Sequence, residues 1–477
     1  MLTTFENWNE RGITDCHFSP IQTYNHPGDK HAAYYKRLES AAGDNYFVSF
    51  PPFTFMFTYG IFKLFHVNPD RLSIQLLNMF LHLVSAVFVY LIVFNYYNKK
   101  ESLKLALPAL TAFVLYLFIP VLLYEHIVVY FPELLGHVWW IIALYFTMKW
   151  FQAEDAENRK RQAIYTSILI FFMTYTEWIG IFYSVVLILL LYYQRSIEKR
   201  QRIFLIRTVA ISSVSALALM IIQYSSIAGI KNLLRALAIR YAERSGAFNE
   251  AHSDQGLNFF NSDSYLRFGI NLNSVLFPFG YLLLLAVLLI VFRKGFRDIF
   301  NAVKSNKQII VLSVLPALLH VLIFFNSAIM HRHCVAFLGL PLALSAGFFV
   351  HWLLNNYKSV VVTAGVLIVL LFSAISTKLY FDKHFYLKVD YSFLTSASEI
   401  IKKNSADDEV VMLNIKTELS NPLAYISFMS KRNMVYAKDT IEVRQKLQNL
   451  NKEKAVYYQF DSPLTEFVLY RLTLEKK

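Results

Sequence analysis

Ionisable side chains lie inside and beside apolar segments of this 477-residue chain. In YEHIVVYFPELLGHVWW, residues 124–140, Pro132 suits the first turn of a helix. On that helix Glu133, His137 and Trp140 would share one face. Ionisable groups in or beside membrane spans are costly and often functional, so this face is expected to present an acid to a reaction chamber. The alternative is an acid that only caps the helix N-terminus.

Two further polar clusters lie at the ends of apolar segments. Glu177 lies in TYTEWIG beside a break, where it is either a solvated turn residue or a second wall of the same chamber. In MHRHC, His331, Arg332 and His333 open an apolar segment. These three residues, together with His137 and Glu177, are candidate substrate- and phosphate-binding residues. Arginine binds two phosphate oxygens at once, although an interfacial anchor is the alternative reading of Arg332. Adjacent histidines without a third ligand are weak evidence, so no metal site is predicted.

A basic amphipathic helix is predicted in IKNLLRALAIRYAERSG, residues 230–246. Lys231, Arg235, Arg240 and Arg244 occupy faces other than the apolar one. Such a helix is expected to lie on a leaflet surface, where Arg235 could bind a lipid phosphate. The apolar face is formed by Ile230, Leu233, Leu234, Leu237 and Tyr241.

The composition indicates a polytopic membrane protein. Hydrophobic residues make up 56% of the chain and charged residues 17%, against about 25% charged in soluble domains. The net charge of +13 is spread over short loops between apolar runs, so it does not indicate nucleic-acid binding. Ten spans are predicted, at residues 72–95, 105–124, 128–148, 163–177, 180–194, 205–226, 273–292, 308–328, 334–353 and 359–379.

The distribution of basic residues predicts the topology. Four basic loops fall on one side if ten spans are counted, which makes that side cytoplasmic. Residues 1–70, 227–271 and 380–477 are then extracytoplasmic. Residues 1–46 contain no export signal, so we expect a further span, closely followed by an acid, to be encoded upstream.

The C-terminal region changes character. DEVVMLNI, NMVYA and AVYYQF are compact apolar runs typical of buried strands, and helical stretches lie between them. This alternation predicts a small α/β domain. The expected fold is therefore an all-α polytopic membrane protein with juxtamembrane helices and a small extracytoplasmic α/β domain. Its predicted parts are a first loop (1–70), a membrane domain (71–380, with outer loop 227–271) and the α/β domain (381–477).

The segment VSFPPFTFMFTYGIFKLF, residues 48–65, is too short to span a bilayer core, which needs about 20 apolar residues. With Pro51, Pro52 and the following Arg71, it resembles the proline-containing juxtamembrane element of GT-C membrane glycosyltransferases. PELLGHVWW with Glu133, the broken pair around TYTEWIG and the span start HRHCVAFLGLPLAL resemble later elements of that class. Protein O-mannosyltransferases and lipid A aminoarabinose transferases are similar in pattern.

The resemblance implies an inverting transfer of sugar from a polyprenyl-phosphate donor to a lipid, glycan or protein acceptor. It implies a bacterial inner-membrane location, an extracytoplasmic active site and contact with membrane lipids. An outer carboxylate would be the general base, and arginines would hold the phosphate leaving group. The class carries its usual acid just after its first span, which is expected upstream of this sequence, so Asp29 and Asp44 join Glu133 as catalytic candidates. No cofactor is predicted, and the resemblance leaves a divalent ion open.

Three other functions fit parts of the pattern. O-antigen polymerases and ligases are polytopic with large outer loops, but they need no proline-containing juxtamembrane helix. Transporters tend to show internal repeats and midplane polar residues. An inactive truncated homologue of a glycosyltransferase is the third alternative.

Overall fold

The computed structural model describes residues 1–25, 30, 38–96, 102–128, 132–246, 262–277, 280, 281, 284, 307–385, 391–406, 408–414, 422–460 and 467–474. The chain forms two compact units. The first unit comprises Met1–Pro69, Ile221–Leu237 and Leu387–Lys477. The second unit comprises Asp70–Met220 and Ala238–Tyr386. The predicted division at residues 70 and 380 stays a prediction, and most of the predicted span 273–292 lies outside the described residues.

Helices dominate the described parts of the chain. Apolar residues repeat at helical spacing through long stretches, and packing of these faces stabilises the helices. The helices are α1 (Leu2–Arg11), α2 (Phe53–Leu64), α3 (Arg71–Tyr96), α4 (Ser102–Phe118), α5 (Pro120–Val128), α6 (Pro132–Gln152), α7 (Ala156–Thr174), α8 (Ile179–Tyr193), α9 (Lys199–Ala228), α10 (Ile230–Ser245), α11 (Ser262–Leu276), α12 (Lys307–Ile323), α13 (Phe325–Met330), α14 (Arg332–Ala336), α15 (Gly339–Asn356), α16 (Ser359–Phe385), α17 (Tyr391–Asn404), α18 (Pro422–Ser430) and α19 (Thr440–Asn449).

Within the described residues, five helices are long and apolar enough to cross a membrane: α3, α6, α9, the segment Arg332–Asn356 and α16. The pair α4 and α5 raises this number to six if the two helices form one span. The chain is therefore an integral membrane protein, as its composition predicts. The full set of ten predicted spans stays a prediction, because α8 and α12 are shorter apolar helices.

A bend or a break interrupts two of the predicted apolar regions. The predicted span 105–124 is bent by 55° at its break, because Pro120 has no N–H to continue the hydrogen-bond ladder. The predicted break between residues 177 and 180 is confirmed, since α7 ends at Thr174 and α8 begins at Ile179. At Gly180 an added Cβ would lie 2.5 Å from the Thr174 amide nitrogen, so only glycine permits this close approach.

In the first unit, α2 confirms the predicted short aromatic helix. It has 12 residues and a length of about 18 Å, which is less than the thickness of a bilayer core. The segment before it is held by Tyr224, whose hydroxyl donates hydrogen bonds to the carbonyls of Phe47 (3.2 Å) and Phe50 (2.8 Å). This part of the unit also contains β1 (Leu38–Glu39) paired antiparallel with β2 (Asn45–Tyr46).

The C-terminal segments of the first unit form a four-stranded sheet. Its order is β4-β3-β5-β6, with β3 parallel to β4 and β5, and β6 antiparallel to β5. Alternate residues of β3 face opposite sides: Val411 packs with α17 and α18, and Met412 packs with α19. The predicted α/β alternation is confirmed, and the antiparallel strand β6 adds to it. The strands are β3 (Val410–Asn414), β4 (Met434–Tyr436), β5 (Lys454–Phe460) and β6 (Phe467–Thr473).

The Tyr224 hydroxyl gives a test of how the segment before α2 is held. Tyr224→Phe removes both hydrogen bonds from a fully buried position and is expected to lower the free energy of unfolding by about 1–3 kcal/mol. Thermal unfolding of the detergent-purified protein measures this. Tyr192→Phe is the matched control because Tyr192 is 68% exposed. Equal midpoints for the two variants would show that the hydroxyl contributes nothing to stability.

Candidate functional site

Glu133, in the first turn of α6, is almost fully buried. Its Oε1 lies 3.5 Å from Nε2 of His333, on the short helix α14. Oε2 has no hydrogen-bond partner among the residues that the structure describes. The ligand atoms of Glu133, His333 and the buried Cys334 all lie within 4.8 Å of one another. A carboxylate, an imidazole and a thiol therefore converge at the end of α6.

Glu177 is the second buried acid, with no exposed surface. Its Oε1 lies 3.3 Å from Nε2 of His320 on α12, and its Oε2 accepts a hydrogen bond from the Ile179 amide at 2.5 Å. Glu177 therefore fixes the N-terminal end of α8 and pairs with an imidazole at the same time. It is a buried partnered acid rather than a solvated turn residue.

Helix α6 approaches Glu177 through a glycine. An added Cβ at Gly136 would lie 3.0 Å from the Cβ of Glu177, which is tighter than most contacts of real side chains. Gly136 is three residues after Glu133, so both lie on neighbouring parts of one helix surface. The two acids also interact electrostatically. Close packing at Gly136 thus places the start of α6 beside the broken helix pair.

A chain of three buried histidines joins α3, α5 and α6. Nδ1 of His82 lies 2.8 Å from Nδ1 of His126, and Nε2 of His126 lies 3.3 Å from Nδ1 of His137. His82 also contacts the Leu117 carbonyl through Nε2, at 3.1 Å. His137 contacts His126 and the rings of Trp140 and Phe337, and its predicted role in binding substrate or phosphate stays a prediction.

Phe337 connects the two histidine groups. Its ring centroid lies 4.5 Å from that of His137 and 4.6 Å from that of His320. Phe337 has no exposed surface. The Phe337 ring therefore packs against both the histidine chain and the Glu177–His320 pair.

Arg332 begins α14 and is half-buried. It donates a hydrogen bond to the Tyr380 hydroxyl at 3.2 Å and interacts electrostatically with Glu125. His331 is exposed and stacks on His333, with ring centroids 5.0 Å apart. Of the predicted trio, His333 makes the direct contact with Glu133, whereas Arg332 contacts Tyr380 and Glu125, and His331 stacks on His333.

The predicted basic helix is confirmed as α10, and the predicted phosphate-binding role of Arg235 stays a prediction. Arg235 is exposed and belongs to the first unit. Arg244, in the last turn, interacts electrostatically with Glu133 and Glu177. Its guanidinium lies 5.8 Å from the ring centroid of Phe324. The end of α10 is held there because the Asn326 amide donates to the Glu243 carbonyl at 2.6 Å.

The first-loop acid Asp44 lies in the first unit. Asp44 is 2% exposed and pairs with Arg11 at 2.8 Å and with Lys30 at 3.4 Å. Because its buried carboxylate pairs with two cations, Asp44 is suited to a structural role, in which it holds α1 against the loop. Asp29 lies outside the described residues. The predicted catalytic roles of both acids stay predictions.

Sequence reasoning missed His82, His126 and His320, and it left Cys334 and Arg244 unassigned. The three histidines carried a usable signal, because each interrupts or flanks an apolar run: NMFLHLV, YEHIVV and PALLHVL. Cys334 and Arg244 gave no comparable signal, since their proximity to the acids depends on how distant helices pack.

Comparison with known proteins gives a fold assignment. No protein-family model matches the chain, and no curated protein matches it in sequence. The structure is similar to ArnT, an aminoarabinose transferase from Cupriavidus metallidurans, with a TM-score of 0.52 and 12% identity over 97% of this chain and 88% of that one. It is also similar to the Archaeoglobus fulgidus oligosaccharyltransferase, solved with Zn and sulfate, with a TM-score of 0.53 and 11% identity over 96% of this chain and 63% of that one.

Both neighbours are GT-C glycosyltransferases. At 11–12% identity the likeness shows the fold, so the chain has a GT-C-type fold, as the motif resemblance predicts.

Gly136 offers a test of the close packing beside Glu177. Gly136→Ala is expected to destabilise the protein, because the new methyl group meets the Glu177 side chain at 3.0 Å. Gly60→Ala is the matched control: Gly60 is exposed in α2 with nothing near the added Cβ, so alanine should stabilise it by about 0.5–1 kcal/mol. Thermal midpoints in detergent measure both changes. A shift of the same sign in the two variants would contradict the packing argument.

Proposed function

We propose that this protein is a membrane glycosyltransferase that moves a sugar from a polyprenyl-phosphate donor to an acceptor at the extracytoplasmic face of a bacterial inner membrane. The GT-C-type fold supports the reaction class. The single observation that carries the site is the convergence of Glu133, His333 and Cys334 at the end of a membrane helix.

The Glu133 carboxylate is the general base of the proposed reaction. A general base must take a proton from the acceptor hydroxyl while the sugar is displaced from phosphate. Oε2 of Glu133 is buried and has no partner among the described residues, so it is free to accept a hydrogen bond. The acids available in this unit also include Glu177, but both of its oxygens are engaged by His320 and the Ile179 amide.

Arg332 and Arg244 supply the cations of the proposed reaction. Negative charge develops on the phosphate leaving group, and fixed cations stabilise it in a site that excludes water. Arg244 interacts electrostatically with Glu133, and Arg332 lies next to His333 in the chain. Arginine binds phosphate through two parallel hydrogen bonds, which lysine cannot reproduce. The sugar and the acceptor, whether lipid, glycan or protein, are outside this proposal.

Glu133→Gln tests the acid. The variant keeps the size of the side chain and is expected to fold and insert, while sugar release falls by about 10²- to 10⁴-fold because the general base is lost. Release of polyprenyl phosphate from a radiolabelled polyprenyl-phosphate sugar, with water as the acceptor of the sugar in detergent-purified protein, measures this. Glu198→Gln, at an exposed position, is the control. Equal rates in wild type and a correctly inserted Glu133→Gln variant would return Glu133 to a helix-capping role.

Arg332 is tested by donor binding rather than by turnover. Arg332→Ala should weaken binding of a polyprenyl-phosphate sugar by about ten- to a hundredfold, since a charge-assisted hydrogen bond contributes on the order of 1.5–3 kcal/mol. Arg332→Lys should weaken it less, because lysine keeps the charge but loses the two-oxygen geometry.

A titration of donor into the purified variants decides between phosphate binding and interfacial anchoring. Arg195→Ala removes an exposed arginine between α8 and α9 and serves as the control. Wild-type affinity in Arg332→Ala would remove Arg332 from the donor site.

A further inference from the structure

Three ligand-bearing side chains meet at the end of α6 in a way that the sequence did not suggest. Glu133 comes from α6, whereas His333 and Cys334 are adjacent on α14. They offer an oxygen, a nitrogen and a sulfur ligand atom, all within 4.8 Å of one another. The paired histidines alone were weak evidence for a metal, and it is the tertiary structure that adds the acid and the thiol.

The spacing suits a tetrahedral ion. Zinc binds carboxylate oxygen and imidazole nitrogen at about 2.0–2.2 Å, so two such ligands in a tetrahedral site lie about 3.4 Å apart. Oε1 of Glu133 and Nε2 of His333 are 3.5 Å apart. That separation is long for a hydrogen bond and matches the separation of two ligands of one ion. Zinc binds thiolate sulfur at the longer distance of about 2.3 Å, and Sγ of Cys334 lies within 4.8 Å of the other two ligand atoms.

The burial of the Glu133 carboxylate also favours a cation beside it. Glu133 is 4% exposed, and a buried carboxylate without sufficient partners costs several kcal/mol. Its Oε2 has no hydrogen-bond partner among the described residues. A divalent ion with the Glu133 carboxylate and a Cys334 thiolate is neutral in total. The nearby positive Arg244 is then balanced by the negative Glu177, with which it also interacts.

We propose that Glu133, His333 and Cys334 form a three-ligand site for a divalent transition metal ion, with zinc the ion that fits the mixed oxygen, nitrogen and sulfur set. Sulfur and imidazole ligands select against magnesium and calcium, which prefer oxygen. Three protein ligands leave the fourth tetrahedral position open, as in catalytic rather than purely structural zinc sites. A bound zinc ion supplies Lewis-acid stabilisation of oxygen charge at that position.

This inference deepens the proposed function, because it adds an ion to the same site. Glu133 would bind the ion with one carboxylate oxygen and keep the other for the proton of the acceptor. The metal site nevertheless stands on its own ligands, so ion binding can be measured without any sugar donor.

The test is metal binding by the full chain in detergent. Protein stripped with a chelator is dialysed against Zn²⁺, and bound zinc per chain is measured by elemental analysis. One zinc per chain is expected, with loss of most of it in Cys334→Ala and in His333→Ala. Cys16→Ala is the matched control, since Cys16 is also a buried free cysteine but lies outside the cluster.

Substitution with Co²⁺ identifies the ligands directly. A thiolate–cobalt charge-transfer band in the near ultraviolet is expected in wild type and in Cys16→Ala, and it should be absent in Cys334→Ala. Cys334→Ser, which keeps the size of the side chain, guards against loss of folding as the explanation. No zinc above the level of the Cys334→Ala variant, or an unchanged band in that variant, would overturn the site.

The two proposals fail separately. Zinc bound by Cys334 in a protein that releases no sugar would leave the metal site standing and reject the glycosyltransferase. Sugar release unaffected by chelation and by Cys334→Ala, with no zinc bound, would reject the metal site and leave the glycosyltransferase standing.

Discussion

Burial of carboxylates among membrane helices is the constraint on which the second unit depends. An isolated charge in such surroundings is costly, so each acid requires partners brought to it by other helices. Glu177 obtains His320 from α12 and the amide at the start of α8. Glu133 obtains His333 from α14. The contacts of these two acids therefore involve four helices: α6, α8, α12 and α14.

Glycine and proline make these contacts possible. Gly180 lets α7 and α8 approach at their break, and Gly136 lets α6 approach Glu177. Pro120 bends the segment that carries His126, which then contacts histidines of α3 and α6. Each of these three residues lies near a polar side chain that contacts a neighbouring helix. The irregular backbone positions and the polar contacts therefore occur at the same places in the second unit.

In the first unit, burial of apolar residues around a sheet and an internal ion pair stabilise the fold. Its sheet buries alternate residues of β3 against helices on both faces, as expected for a small α/β fold. Asp44 is neutralised by Arg11 and Lys30, which makes it an internal ion pair of this unit. Among the described candidate acids, Glu133 differs because it faces an imidazole and a thiol and keeps one oxygen without a described partner.

From the sequence alone one can predict the membrane class, the short aromatic helix α2, the break before α8, the basic helix α10 and the strands β3 to β5. These follow from composition, periodicity and the backbone limits of proline and glycine, which act over a few residues. The sequence also indicated Glu133, Glu177 and Arg332, because ionisable groups beside apolar runs are conspicuous. The tertiary structure is needed to show that His320 joins Glu177, that Arg244 at the end of α10 interacts with both acids, and that Cys334 and His333 meet Glu133. The partners in each case are separated by tens to hundreds of residues, and their proximity depends on helix packing that no local pattern records.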